Sequence, residues 1–172
     1  MSDQLMKIEK TVNALQSIKG IKKATGTYLV CDVSGSMAGE KIESLITAVN
    51  QLQFPFNRIV SFSWDVSMGL RTHASGTTAL HKALAYVYNL ECKKIILISD
   101  GRPDSISGVM EILRKDIPID IVFISGYGDQ NEGKAFMEEL ASLTNGSSFV
   151  IEDYKNNLEA KLITSIKGYL SK

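Results

Sequence analysis

Unbroken apolar runs alternate along this chain with segments whose apolar residues recur every three or four positions, and the two patterns predict different elements. Residues 28–33, 94–99 and 119–124 are near-continuous apolar runs. Runs of that kind read as strands covered on both faces, as in a parallel sheet. Residues 148–151 predict a short last strand. Residues 58–62 predict another, and 66–72 one more after a turn at Trp64 and Asp65. A connection that short requires an antiparallel hairpin.

Helical spacing fills the intervals. Residues 39–52 place Ile42, Leu45, Ile46 and Val49 on one face, with Phe54-Pro55 ending the helix. Further helices are predicted over 77–90, from Ser105 or Ser107 to Arg114, over 132–143 with a stop at Asn145-Gly146, and over 156–170. The last turns Leu158, Leu162, Ile163 and Ile166 inward. Thr77 stands where the 77–90 helix is predicted to start, and a hydroxyl there is first of all an N-cap. Strands alternating with helices predict an α/β fold of three layers, Rossmann-like, with a mostly parallel central sheet, one short antiparallel edge strand and helices on both faces.

Ahead of this unit, residues 1–20 carry Leu5, Ile8, Val12, Leu15 and Ile18 at helical spacing, closed by Gly20. Such a helix either packs on its own domain, residues 25–172, or docks a partner, which leaves a monomer or a weak dimer through this helix. No internal repeat or low-complexity tract is visible.

Composition narrows the function classes. A chain of 172 residues, 44% hydrophobic and 22% charged, is one ordinary globular domain. Nineteen basic residues balance nineteen acidic ones, so no overall field favours nucleic acid or an anionic membrane. The first residues lack the apolar core of a signal peptide, and no run approaches a membrane span. Cys31 and Cys92 read as reduced thiols rather than a disulfide. The expectation is a soluble, cytoplasmic protein.

The chemistry concentrates where the first strand ends. Asp32, Ser34 and Ser36 alternate there, with Gly35 supplying a tight turn. Open α/β sheets bind ligands at the carboxyl ends of their strands. One carboxylate and two hydroxyls converging from a single turn suit a hard cation that takes oxygen ligands. Two later stretches strengthen the pattern: Ser75-Gly-Thr-Thr at 75–78, and Asp100-Gly101 directly after the 94–99 strand.

In that order the three stretches resemble a von Willebrand factor A domain with a metal-ion-dependent adhesion site. The family pattern of Asp-x-Ser-x-Ser, a distant Thr, and an Asp after a later strand falls here on Asp32, Ser34 and Ser36, then Thr77, then Asp100. Either hydroxyl of the Thr77-Thr78 pair could serve; the family's Gly-Thr pattern favours Thr77. The resemblance implies that the first and fourth strands lie side by side at the centre of the sheet. It also implies a bound Mg2+, with Mn2+ or Ca2+ as substitutes. Ser34, Ser36 and Thr77 would touch the ion, and Asp32 and Asp100 would act directly or through water. Mostly neutral ligands leave such an ion electrophilic, so the partner implied is a protein offering an exposed Asp or Glu. Intracellular members of the family often serve as adaptors for an ATPase.

A Mg2+-dependent hydrolase or phosphotransferase using the same carboxylates is the alternative. A phosphotransferase of the aspartyl-phosphate kind wants a second Asp where this chain has Ser34. A serine hydrolase needs a base, and His73 and His81 are the two histidines. The residues at 126–128, Gly-Tyr-Gly, are too short for a phosphate-binding fingerprint. Trp64, at the hairpin tip, is a candidate interaction anchor.

Overall fold

The computed structural model describes residues 26–126 and 131–172. The helix expected over residues 1–20, and residues 127–129 of the loop expected at the site edge, lie outside them.

Among the described residues six strands form one sheet: β1 (Thr27–Asp32), β2 (Ile59–Phe62), β3 (Val66–Met68), β4 (Lys94–Ser99), β5 (Ile119–Ile124) and β6 (Ser148–Ile151). Their spatial order is β3-β2-β1-β4-β5-β6. Every pairing is parallel except that of β2 with the short edge strand β3. Among the described residues five α-helices accompany them, the first four between strands and the fifth after β6: α1 (Glu40–Leu52), α2 (Leu80–Tyr88), α3 (Ile106–Ile112), α4 (Asn131–Leu143) and α5 (Leu158–Leu170).

Strand alternation sends side chains to two cores. Leu29 and Cys31 of β1, with Ile96 and Ile98 of β4, pack under α1 and α5. Tyr28, Val30, Ile95 and Leu97 point the other way, under α2, α3 and α4. β1, β4 and β5 are therefore apolar on both faces because both faces are covered. Truncating one of these fully buried Leu or Ile side chains to Ala would cost about 2–5 kcal/mol. This is the expected three-layer α/β architecture, with the first and fourth strands adjacent.

Several boundaries differ from the sequence expectation, for local or tertiary reasons. β3 ends at Met68 rather than 72, because Gly69 turns the chain at φ 84 and gives its N–H to the Ile59 carbonyl. α2 starts at Leu80, not Thr77, and neither threonine caps it: the N-cap is Ala79, which makes no side-chain cap. The Ala79 N–H bonds the Ser63 carbonyl instead of entering a helical turn. α3 stops at Ile112, and Ser105 rather than Ser107 caps it, accepting from the Gly108 N–H at 3.0 Å. α5 begins at Leu158 behind a left-handed Asn157, and its last turn also buries Tyr169.

Tyr169 fastens the end of α5 to the sheet. Its hydroxyl donates to the Ile121 carbonyl at 3.1 Å, and its own carbonyl accepts from Lys94 Nζ at 2.6 Å. The two cysteines are free. Cys31 lies in the core, while Cys92 is only partly covered and burial lifts its thiol to about 11. Among the described residues no helix is long and apolar enough to cross a membrane.

Candidate metal centre

β1 leaves for α1 on one face of the sheet, and its neighbour β4 leaves for α3 on the other. The crevice that opens between two such strands is where α/β sheets take ligands. Asp32 closes β1 there, and Asp100 follows directly on β4.

Four of the five expected residues are joined in series by hydrogen bonds. Asp32 is fully buried. It accepts from the Ser34 N–H at 2.8 Å with one oxygen, and from the Ser99 hydroxyl at 2.6 Å with the other. Ser34 and Ser36 share a hydroxyl contact of 3.1 Å, and Ser36 donates to Asp100 Oδ1 at 2.6 Å. The backbone at 33–36 makes this convergence unavoidable. Val33 N–H still bonds Phe62 of β2, and a short 3-10 turn, Gly35–Met37, then brings Ser36 back over the crevice.

The fifth residue, Thr77, arrives on a loop laid along that turn. Ser75 N–H donates to the Val33 carbonyl at 2.9 Å, and Gly35 N–H to the Gly76 carbonyl at 2.9 Å. Thr77 is exposed directly beyond Gly76, whereas Thr78 is buried. Thr78 gives its N–H to Asp104 Oδ1 and its carbonyl to the Asp104 N–H. The three loops, 33–36, 75–78 and 100–104, are thus knitted to one another by backbone hydrogen bonds.

Burial pushes the Asp32 carboxyl up to about 6; the Ser99 and Ser34 hydrogen bonds oppose that rise and the Asp100 charge adds to it. Two carboxylates this close call for a positive charge. One is supplied by Lys41, whose ammonium lies 2.5 Å from Asp100 Oδ2 and 3.4 Å from the Ser36 carbonyl oxygen. It also sits over the Tyr154 ring, 5.0 Å from the centroid.

Sequence reasoning missed Lys41 and Ser99. Lys41 carried a signal: a cation in the first turn of a helix opposes the helix dipole, so its presence asks for an anion nearby. Ser99 carried none, since a hydroxyl at a strand end is ordinary. His73 is exposed in its loop. His81 packs against α3, where a Cβ on Gly108 would come within 3.3 Å of its ring. Trp64 is exposed, as expected, and its indole lies against Gly76 of the Thr77 loop.

The donor set fits a hard divalent cation. Among the described residues no group of three or more His, Cys, Asp or Glu could hold a metal ion. An ion here would depend on hydroxyl oxygens beside two carboxylates, one of which, Asp100, already holds the Lys41 ammonium. That chemistry suits Mg2+ or Mn2+ rather than zinc.

No family model matches the sequence, and no curated protein matches it. Solved structures do. VWA2, a paralog of ArnB from Sulfolobus acidocaldarius, is 26% identical with a TM-score of 0.61, over 80% of this chain and 43% of that one. The PilB minor pilin from Streptococcus sanguinis is 12% identical with a TM-score of 0.56, over 84% of this chain and 60% of that one. Its D319A mutant gives 13% and 0.51 over the same shares. The chain therefore spans less than two thirds of each of these proteins, and the pilin likeness is one of fold alone. With the strand order and the crevice described above, the chain has a von Willebrand factor A-like fold.

Proposed function

We propose that this chain is a protein-interaction module that holds a divalent cation at the β1/β4 crevice and recognises a partner through an Asp or Glu carboxylate. The observation that carries the reading is the hydrogen-bonded series Asp32, Ser34, Ser36, Asp100, closed by a cation at Asp100. Ser34, Ser36 and Thr77 are the proposed direct ligands, with Asp32 and Asp100 ligating directly or through water. Mg2+ is the first candidate; Mn2+ and Ca2+ are substitutes. Bound there, the ion would supply Lewis acidity toward an incoming carboxylate.

The protein's part is positional. Asp32, held by Ser99 and the Ser34 N–H, fixes the turn that aims both serine hydroxyls. The 75–78 loop is bonded to that turn through Ser75 and Gly76, and Thr77, exposed next to Gly76, is the ligand proposed from it. A role as adaptor for an ATPase is one specific form of this reading. VWA2 suggests an interaction module, by likeness to a VWA protein.

Calorimetric titration of Mg2+ and Mn2+ against the wild type and Ser36→Ala tests the site. One ion bound by the wild type, and binding weakened about tenfold or more in Ser36→Ala, is the expected result. A pull-down in Mg2+ against EDTA then seeks the partner. Metal-dependent phosphate release that is lost in Asp32→Asn would favour a hydrolase or phosphotransferase instead.

A further inference from the structure

We propose that Lys41 is a tethered counter-cation that competes with the divalent ion and sets the affinity of the site. This inference rests on the metal reading above. Lys41 stands in the first turn of α1, where the exposed N–H groups already carry positive potential. It is nevertheless 8% exposed, with its ammonium 2.5 Å from Asp100 Oδ2. Burying an ammonium in that position is unfavourable unless an anion holds it, and fully buried Asp100 is the anion.

The same Asp100 carboxylate is committed on its other oxygen to Ser36, a proposed ligand. The Ser36 backbone carbonyl is turned to Lys41 as well. Lys41 thus contacts both members of the Ser36–Asp100 pair, through the Ser36 carbonyl and the Asp100 oxygen that Ser36 does not use. An ion taken by Ser34, Ser36 and Asp100 has to share a carboxylate with this ammonium, or displace it. The Tyr154 ring offers the ammonium a second surface on which to rest. When no metal is bound, Lys41 neutralises the Asp100 carboxylate. In the loaded protein it subtracts from affinity, so a partner's carboxylate that also relieves the crowded positive charge binds with added advantage.

Titrating Mn2+ by calorimetry into the wild type, Lys41→Met and Lys41→Arg tests this. Met keeps the length and the apolar stem, so α1 still packs. Lys41→Met is expected to bind Mn2+ about tenfold or more tightly, given the strength of a like-charge contact at this range. Without metal it should melt below the wild type, and gain more on loading. Lys41→Arg should stay within about threefold of the wild type, since the charge remains. Lys41→Gln repeats the neutral variant with a polar head and should agree with Met. Wild-type binding with unchanged or weaker affinity in Lys41→Met and Lys41→Gln overturns this inference alone. No binding by the wild type or either neutral variant overturns the metal reading and this inference together.

Discussion

Thr78 and Asp104 hold each other by two hydrogen bonds of 2.9 Å, one from the Thr78 N–H to the Asp104 carboxylate and one from the Asp104 N–H to the Thr78 carbonyl. That pair fastens the loop bearing Thr77 to the loop that follows Asp100. Neither residue belongs to the proposed ligand set, yet both govern where Thr77 can be. Asp104→Ala should therefore cost about 1 kcal/mol of stability, the worth of one lost side-chain hydrogen bond. Amide exchange should accelerate at 77–79 and not in β1. Metal affinity should fall with it, and unchanged exchange at 77–79 would show that the loop is held by other contacts.

Gly76 offers a test of the same loop from its other side. Its φ of 81 lies in the left-handed region, and a Cβ would stand 2.4 Å from Trp64 Cδ1. Gly76→Ala should cost roughly 2 kcal/mol in denaturant unfolding, part dihedral strain and part displaced indole. On a Trp64→Ala background the same substitution should cost only about 1 kcal/mol, the strain alone. An equal cost on both backgrounds would mean that the exposed indole simply moves aside.

Much of this fold was legible because its central strands are apolar on both faces. The expected spans at 94–99 and 119–124 coincide with β4 and β5. Asp32 and the two serines were legible as a cluster because they alternate within one turn. Asp100 was legible as a carboxylate at a strand end, but its place beside Asp32 only through resemblance, since that proximity depends on strand order and not on spacing. The start of α2 was misread for a physical reason. Thr77 has the residue type of a cap, but Ser63 and Asp104, distant in sequence, take the backbone of 78 and 79 and delay the helix to Leu80. Lys41 was passed over because helical periodicity assigns a lysine to solvent, and only the packed structure shows the carboxylate that draws it in.

Asp32 sets a pH dependence with a definite sign. Burial raises its carboxyl from 3.8 to about 6 in the folded, metal-free protein, so the folded state holds a proton that the unfolded chain has released. The group's contribution is fully present below about pH 4 and is lost as pH rises through about 6, a change of roughly 3 kcal/mol. In EDTA, Asp32→Asn should therefore be the more stable protein near neutral pH, and the two should converge toward about pH 4. A divalent cation favours the carboxylate, so the melting rise on adding Mg2+ should grow across the same window. Parallel stability curves for the two proteins in EDTA would show that Asp32 is not held neutral by burial.

Thr77 and Thr78 are separable by what each substitution damages. Thr77 is exposed and directly follows Gly76, whose carbonyl is held by the Gly35 N–H; Ser36, next to Gly35, is exposed as well. Thr78 is 8% exposed, and its backbone is committed to Asp104. An exposed side chain has little packing to lose, so Thr77→Ala should change stability by no more than about 0.5 kcal/mol. If its hydroxyl is a ligand, Mg2+ affinity should nevertheless fall about tenfold, because an ion that prefers six well-placed oxygens must replace it with water. Thr78→Ala should do the reverse, costing about 1–2 kcal/mol in unfolding as a buried methyl and hydroxyl are removed. Its effect on the metal should be the smaller of the two. Denaturant curves and Mg2+ titrations on the same preparations give both quantities. Should Thr78→Ala remove metal binding while Thr77→Ala leaves it intact, the ligand is Thr78. Metal affinity unchanged in both would confine the ligands to the 33–36 turn and Asp100.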